Sequence, residues 1–139
     1  MKAMVFEEHG GVEVLQYKDV AEPNVGPNDV LIKVRASGCN YNDIWARRGL
    51  AGVKFALPHI SGSDAAGEVV AAGSEVADFK AGDEVMVYPG VSCRSCEFCA
   101  SGRDTFCRQY KIWGFQTGPL DGGHAEFAKH RVIALEPLP

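Results

Sequence analysis

Four cysteines, Cys93, Cys96, Cys99 and Cys107, fall within fifteen residues, in the run GVSCRSCEFCASGRDTFC. Two residues separate each of the first three, and seven separate the third from the fourth. So short a lobe can aim all four thiolates at one point, and four convergent thiolates fit a tetrahedral zinc ion. A site closed by four cysteines has no open coordination position, so its metal is structural rather than catalytic. The lobe, at about residues 90–108, has few apolar residues of its own (Val91, Phe98 and Phe106), so the metal has to supply its order.

Two other uses of the cysteines fit the sequence less well. The N-terminus, MKAMVFEEHG, has an apolar run too short and too acidic for a signal peptide, and no apolar stretch approaches the length of a membrane span. A cytoplasmic, reducing location is therefore expected, where a tight cluster reads as metal-binding rather than as disulfides. An iron–sulfur run of the bacterial ferredoxin type brings its fourth cysteine sooner and follows it with proline, whereas here Arg108 follows Cys107. The formal charge is −4, from 14 basic and 18 acidic residues, with no basic cluster. That balance argues against nucleic acid and anionic membrane as partners.

The 139 residues make about one domain, with 46% apolar residues available for a core. Sixteen glycines and seven prolines suit many turns and short strands. Alternation predicts strands over 2–7, 15–20, 29–37, 65–72 and 84–88, and again over 122–130 and 131–135. Residues 42–48, free of breakers before Gly49, predict one or two helical turns. The pattern is mainly β, a barrel or sandwich with few helices.

In this order the segments MKAMVFEEHG, DVLIKVRASG, the polar NYND, PHISGSDAAGEVVAAG, AGDEVMVYPG, the cysteine lobe and DGGHAEF resemble one family over essentially the whole chain. It is the N-terminal catalytic domain of the medium-chain dehydrogenase/reductase superfamily, which includes the zinc alcohol dehydrogenases and the quinone oxidoreductases. The resemblance implies a GroES-like, partly open β-barrel interrupted by a structural zinc lobe. It also implies NAD(P)H as cofactor of the full-length enzyme, a small-molecule carbonyl or alcohol as substrate, and a homo-oligomer when full length. Family members carry a Rossmann domain after this one, and its G-x-G-x-x-G fingerprint is not seen here. Residues 1–139 are therefore expected to be the GroES-like domain alone, without hydride transfer of its own.

The zinc-dependent members hold a catalytic zinc through a cysteine two residues after a glycine, and through the histidine of a Gly-His-Glu motif. Here the corresponding positions are Asn40 and Ser63, in SGCNYND and Gly62-Ser63-Asp64. Cys39 is one residue early, on the opposite face of an extended segment, and is expected to be a buried core thiol. His59 is expected to be an ordinary surface or loop histidine. Asn40 and Ser63 resemble the zinc-free quinone oxidoreductase and enoyl reductase branches, which usually lack the cysteine lobe.

Without a Lewis acid, the substrate oxygen needs hydrogen-bond donors. The expected catalytic residues are Asn40, Tyr41, Asn42 and Asp64, with Tyr41 placed to protonate the product. Each has a structural alternative: a half-buried aromatic for Tyr41, and loop or capping bonds for Asn40 and Asn42. Asp43 is a candidate helix cap. Trp45 and Phe55 are expected in the core, Arg47 and Arg48 on a solvated helix face, and His9, His124 and His130 without a role. Three functions stay open. They are a reductase of quinones, enones or enoyl thioesters without catalytic zinc, a zinc-dependent alcohol dehydrogenase recruiting Cys39, His59 or Asp64, and a zinc-stabilised binding module without activity.

Overall fold

A computed structural model of the chain describes residues 1–115, 121–131 and 135–137. Strand β1 (Lys2–Val5) pairs with β2 (Gln16–Asp19) in an antiparallel ribbon. The long strand β3 (Asp29–Gly38) follows, then helix α1 (Tyr41–Arg48), β4 (Asp64–Ala72) and β5 (Glu84–Val87). Strand β6 (Gly90–Val91) leads into the cysteine lobe, which holds the short helix α2 (Glu97–Ala100) and a 3-10 turn at Asp104–Phe106. Strand β7 (Lys111–Ile112) closes the lobe by pairing with β6. Strands β8 (Phe127–Arg131) and β9 (Leu135–Pro137) complete the fold.

Five strands form one antiparallel sheet in the order β8-β3-β4-β5-β9. The fold is mainly β, as the alternation predicts. Among the described residues the sheet does not close into a barrel. No helix among them is long and apolar enough to cross a membrane.

The core follows from register. Ile32 pairs with Val69 on one side and Ala128 on the other, so three apolar side chains share one face. With Val30, Ala65, Val85, Val87 and Trp113 they form the main buried cluster. Each fully buried Val or Ile contributes about 1.5–3 kcal/mol relative to exposure. Trp113 is wholly buried and donates its indole N–H to the Lys129 carbonyl at 3.2 Å. A second cluster, Ala3, Val5 and Ile60, lies under the β1–β2 ribbon, and a third joins Phe6, Ala46 and Phe115, with Phe55 packed against it.

The element ends refine the sequence reading. Of residues 122–130, strand β8 takes in only those from Phe127 on; His124 and Glu126 bond to β1, through Met4 N–H to His124 O and Glu126 N–H to Lys2 O, and the Glu126 carbonyl also accepts from the Val34 N–H of β3. Most of the expected 131–135 strand lies outside the described residues. Two expectations on α1 fail. Trp45 is 42% exposed rather than in the core, whereas Arg47 is buried and donates to the Gly10 carbonyl at 2.7 Å. An eight-residue helix has one buried stripe, and here that stripe falls on Ala46 and Arg47.

Candidate functional site

Two sites emerge, one in the lobe and one where β3 meets α1. In the lobe the four sulfurs all lie within 4.8 Å of one another. Cys93 Sγ is 3.9 Å from Cys99 Sγ, and Cys96 Sγ is 3.5 Å from Cys99 Sγ. A tetrahedral ion with ~2.3 Å metal–sulfur bonds requires sulfur–sulfur edges of ~3.8 Å, so the quartet fits a zinc ion. The fold turns the sulfurs inward locally. Arg94 adopts a left-handed φ of 58°, which bends the chain between Cys93 and Cys96. Backbone N–H groups of Cys93 and Gln109 donate to Cys107 Sγ at 3.3 and 3.4 Å.

The thiols are electrostatically unequal. The Ser95 backbone N–H and hydroxyl hold the Cys93 thiol down to about 6. Desolvation and the neighbouring sulfurs push Cys99 up to about 11. Four thiolates cannot coexist at this spacing without a cation between them, and a divalent metal removes that repulsion. Around them Asp104 accepts from Ser92 Oγ at 3.1 Å and pairs with Arg94 at 3.1 Å.

The second site begins with helix capping. Asn40 is the N-cap of α1, and Asp43, in the first turn, returns its carboxylate to the Asn40 backbone N–H at 2.6 Å. The Asn40 side-chain Nδ2 donates to Asp64 Oδ2 at 2.8 Å. The pairing of Gly38 with Asp64 places them together, because Asn40 lies two residues beyond Gly38 and so keeps its face. Two of the expected residues, Asn40 and Asp64, are therefore bonded to each other. Tyr41 is 65% exposed rather than half-buried, and Trp45 meets its ring edge-to-face at 5.2 Å. Asn42 is half-buried in the first turn, apart from this network.

Asp43 does more than cap. Its Oδ1 accepts the Gly62 N–H at 2.9 Å, and its Oδ2 stands 3.5 Å from His124 Nε2. Burial tends to raise this carboxyl, but the His124 side chain and the donated Asn40 and Gly62 N–H groups outweigh it and hold the group below its ordinary 3.8. His124 Nδ1 lies 2.7 Å from Ser37 Oγ. Gly62 has a φ of 108° and no room for a side chain, since a Cβ would come within 2.9 Å of His124 Nδ1. Sequence reasoning gave His124 no role. Its partners lie far away along the chain, and a lone histidine beside a strand carries no local sign of them.

Two further expectations are corrected. Cys39 is exposed, not a core thiol, because it sits beyond the end of β3, where the buried face has already run out. His59 is buried, not at the surface. It forms a bridge with Phe6, its Nε2–H donates to the Gly114 carbonyl at 3.1 Å, and its Nδ1 faces Asp121 at 3.6 Å. Desolvation lowers its proton affinity, despite the pull of the Gly114 carbonyl and Asp121. Ser63 is buried, and its hydroxyl has no hydrogen-bond partner among the described residues. The Cys93–Cys107 quartet is the one group of three or more His, Cys, Asp or Glu residues among the described residues whose ligand atoms converge.

Comparison with known proteins places this geometry. The alcohol dehydrogenase GroES-like domain model matches residues 26–139. An NAD-dependent alcohol dehydrogenase of Sulfolobus acidocaldarius is 35% identical over 91% of this chain and 37% of its own length. A crotonyl-CoA carboxylase/reductase of Cereibacter sphaeroides is 38% identical over 96% of this chain and 32% of its own length. The crystal structure of an NAD-dependent alcohol dehydrogenase superposes with a TM-score of 0.93 at 40% identity, covering 100% of this chain and 40% of that one. The chain thus spans about a third of the length of these curated relatives. It belongs to the alcohol dehydrogenase GroES-like domain family, within the medium-chain dehydrogenase/reductase superfamily.

Proposed function

We propose that this chain is the substrate-side domain of an NAD(P)-dependent oxidoreductase that reduces a quinone, enone or enoyl-type carbonyl without a catalytic zinc. The observation that carries the reading is the Asn40–Asp64 bond of 2.8 Å, which stands where zinc-dependent relatives would place a ligand cysteine. An amide has two side-chain N–H groups. One is spent on Asp64, which fixes the plane, and the second is left to donate to a substrate oxygen. The Sulfolobus relative's name supports nicotinamide chemistry, and the Cereibacter relative's name supports a conjugated acyl substrate.

The four lobe cysteines would hold a zinc ion whose contribution is order, not chemistry. When bound, the nicotinamide would supply a hydride to the electrophilic carbon. Reduction of such a carbonyl would also need one proton to complete the product. Negative charge then develops on the carbonyl oxygen. Asn40 is the donor placed to stabilise it, in the manner of an oxyanion hole. We assign the proton to the exposed Tyr41 hydroxyl, whose ring packs against Trp45. Ser63 in place of histidine, and a His59 with both nitrogens engaged, support a site without catalytic metal.

The test joins this domain to a nucleotide-binding domain and follows NAD(P)H oxidation with an enone. Reduction that persists in chelator, at one zinc per chain, is the expected result. Activity that needs a second zinc and vanishes in Cys39→Ser would establish the alcohol dehydrogenase reading instead, and no activity on any carbonyl would leave a binding module.

A further inference from the structure

We infer that His124 is a positioning residue that fixes the Asn40 donor through Asp43. Its effect on turnover rests on the oxyanion reading of Asn40; the positioning itself does not. The backbone of His124 is held on both sides, its N–H on the Ser61 carbonyl at 3.0 Å and its carbonyl on the Met4 N–H at 2.9 Å. The ring is then pinned between Ser37 Oγ, at 2.7 Å from Nδ1, and Asp43 Oδ2, at 3.5 Å from Nε2. Gly62 packs against the same ring.

The ring keeps both contacts in either protonation state. When it is neutral, the Ser37 hydroxyl donates to Nδ1 and Nε2–H faces the carboxylate. When it is charged, Nδ1–H donates to Ser37 Oγ and Nε2–H still faces the carboxylate. The orientation therefore does not depend on which form is present.

Asp43 turns that fixed ring into a fixed amide. Its Oδ1 is anchored on the Gly62 N–H at 2.9 Å. Its Oδ2 is shared between His124 and the Asn40 N–H at 2.6 Å. The ring, 3.5 Å from Oδ2, adds a side-chain support to the two backbone N–H anchors and backs the contact with Asn40. If it is lost, the Asn40 backbone loses a fixed acceptor, and the side chain reaching Asp64 Oδ2 loses its base. Asn40, Gly62 and His124 thus meet at one carboxylate, with Ser37 behind the ring.

Amide hydrogen exchange of the 139-residue chain tests this directly. His124→Leu is expected to raise exchange at the Asn40 and Gly62 N–H groups about tenfold or more, and to leave the Val69 and Val85 strands unchanged. His124→Gln, which retains a donor and an acceptor, is expected to restore slow exchange. Asp43→Asn, which keeps the shape and removes the charge, is expected to reproduce the local pattern. Unchanged exchange at Asn40 and Gly62 in folded His124→Leu would overturn the inference. So would an equal rise throughout the chain, which would mean that the ring merely supports the fold. In the joined enzyme, His124→Leu is expected to lower kcat with KM held, and His124→Gln to recover it. A silent Asn40→Ala together with the local exchange pattern would sink the oxyanion reading and leave the positioning role standing.

Discussion

The lobe and the Asn40 site assemble their chemistry in opposite ways. The lobe takes all four ligands from fifteen consecutive residues, and its sulfurs converge because a short chain has nowhere else to put them. The Asn40 site takes its members from Ser37 to His124, positions 87 residues apart, and brings them together only through sheet register and backbone bonds. A local site needs a ligand to hold it and little else. A distributed site needs the fold but no ligand. The two should therefore fail under different insults.

The largest expected effect is on the lobe. Chelation, or Cys107→Ser, is expected to release one zinc per chain, with apparent binding energies of about 10–16 kcal/mol at stake in comparable small sites. Far-ultraviolet dichroism should keep its β signature, because none of the four cysteines belongs to the buried cluster of Val30, Ile32, Val69 and Val85. Global unfolding on chelation would break the comparison.

Next comes turnover. Asn40→Ala in the joined enzyme is expected to cost on the order of a hundredfold in kcat, as for the loss of one oxyanion donor. Metal content should not change. If Asn40→Ala lowers zinc occupancy, the sites are coupled and the contrast is lost.

Acid separates the sites more finely. Burial lowers both His59 and His130 below the ordinary 6.5. The unfolded chain therefore binds their protons more readily, so stability is complete at neutral pH and falls as pH drops below 6.5 toward the folded-state values. His130→Phe should flatten part of that slope in a series of melting temperatures. Asp43, lowered from 3.8, holds its contribution above 3.8 and loses it only as pH falls further, through its folded-state value. Asp43→Asn should thus change the lower window alone. A change in the upper window would show that the Asp43 network carries the histidine titration.

The smallest effect is at Cys39. Because the thiol is exposed, Cys39→Ser is expected to shift stability by no more than about 0.5 kcal/mol. A loss of several times that amount would return the residue to the core.

Legibility in the sequence followed the same division. The strands at Asp29–Gly38 and Asp64–Ala72 and the helix before Gly49 could be read because apolar alternation and breakers are local signals. The cysteine quartet could be read for the same reason. Asn40 and Asp64 were named singly, but their mutual bond depends on a register that alternation does not state. Cys39 is misread because the two-faced pattern of an extended segment is carried one residue past Gly38, where β3 ends. Arg47 and His59 were misplaced because a buried polar side chain is explained only by its acceptor. Those acceptors, the Gly10 and Gly114 carbonyls, are 37 and 55 residues away.

The lobe's attachment carries a consequence for how such a chain can be edited. Strands β6 and β7 lie side by side, and the Trp113 N–H donates to the Pro89 carbonyl at 2.8 Å. The polypeptide thus enters and leaves the lobe through one doorway, and the excursion between is a closed detour. A tight turn could join Pro89 to Trp113 without re-registering any strand of the five-stranded sheet, since closing a short loop costs little chain entropy when its ends already touch. Metal dependence, on this geometry, is a property that can be spliced in or out at a single point while the machinery around Asn40 stays as it is.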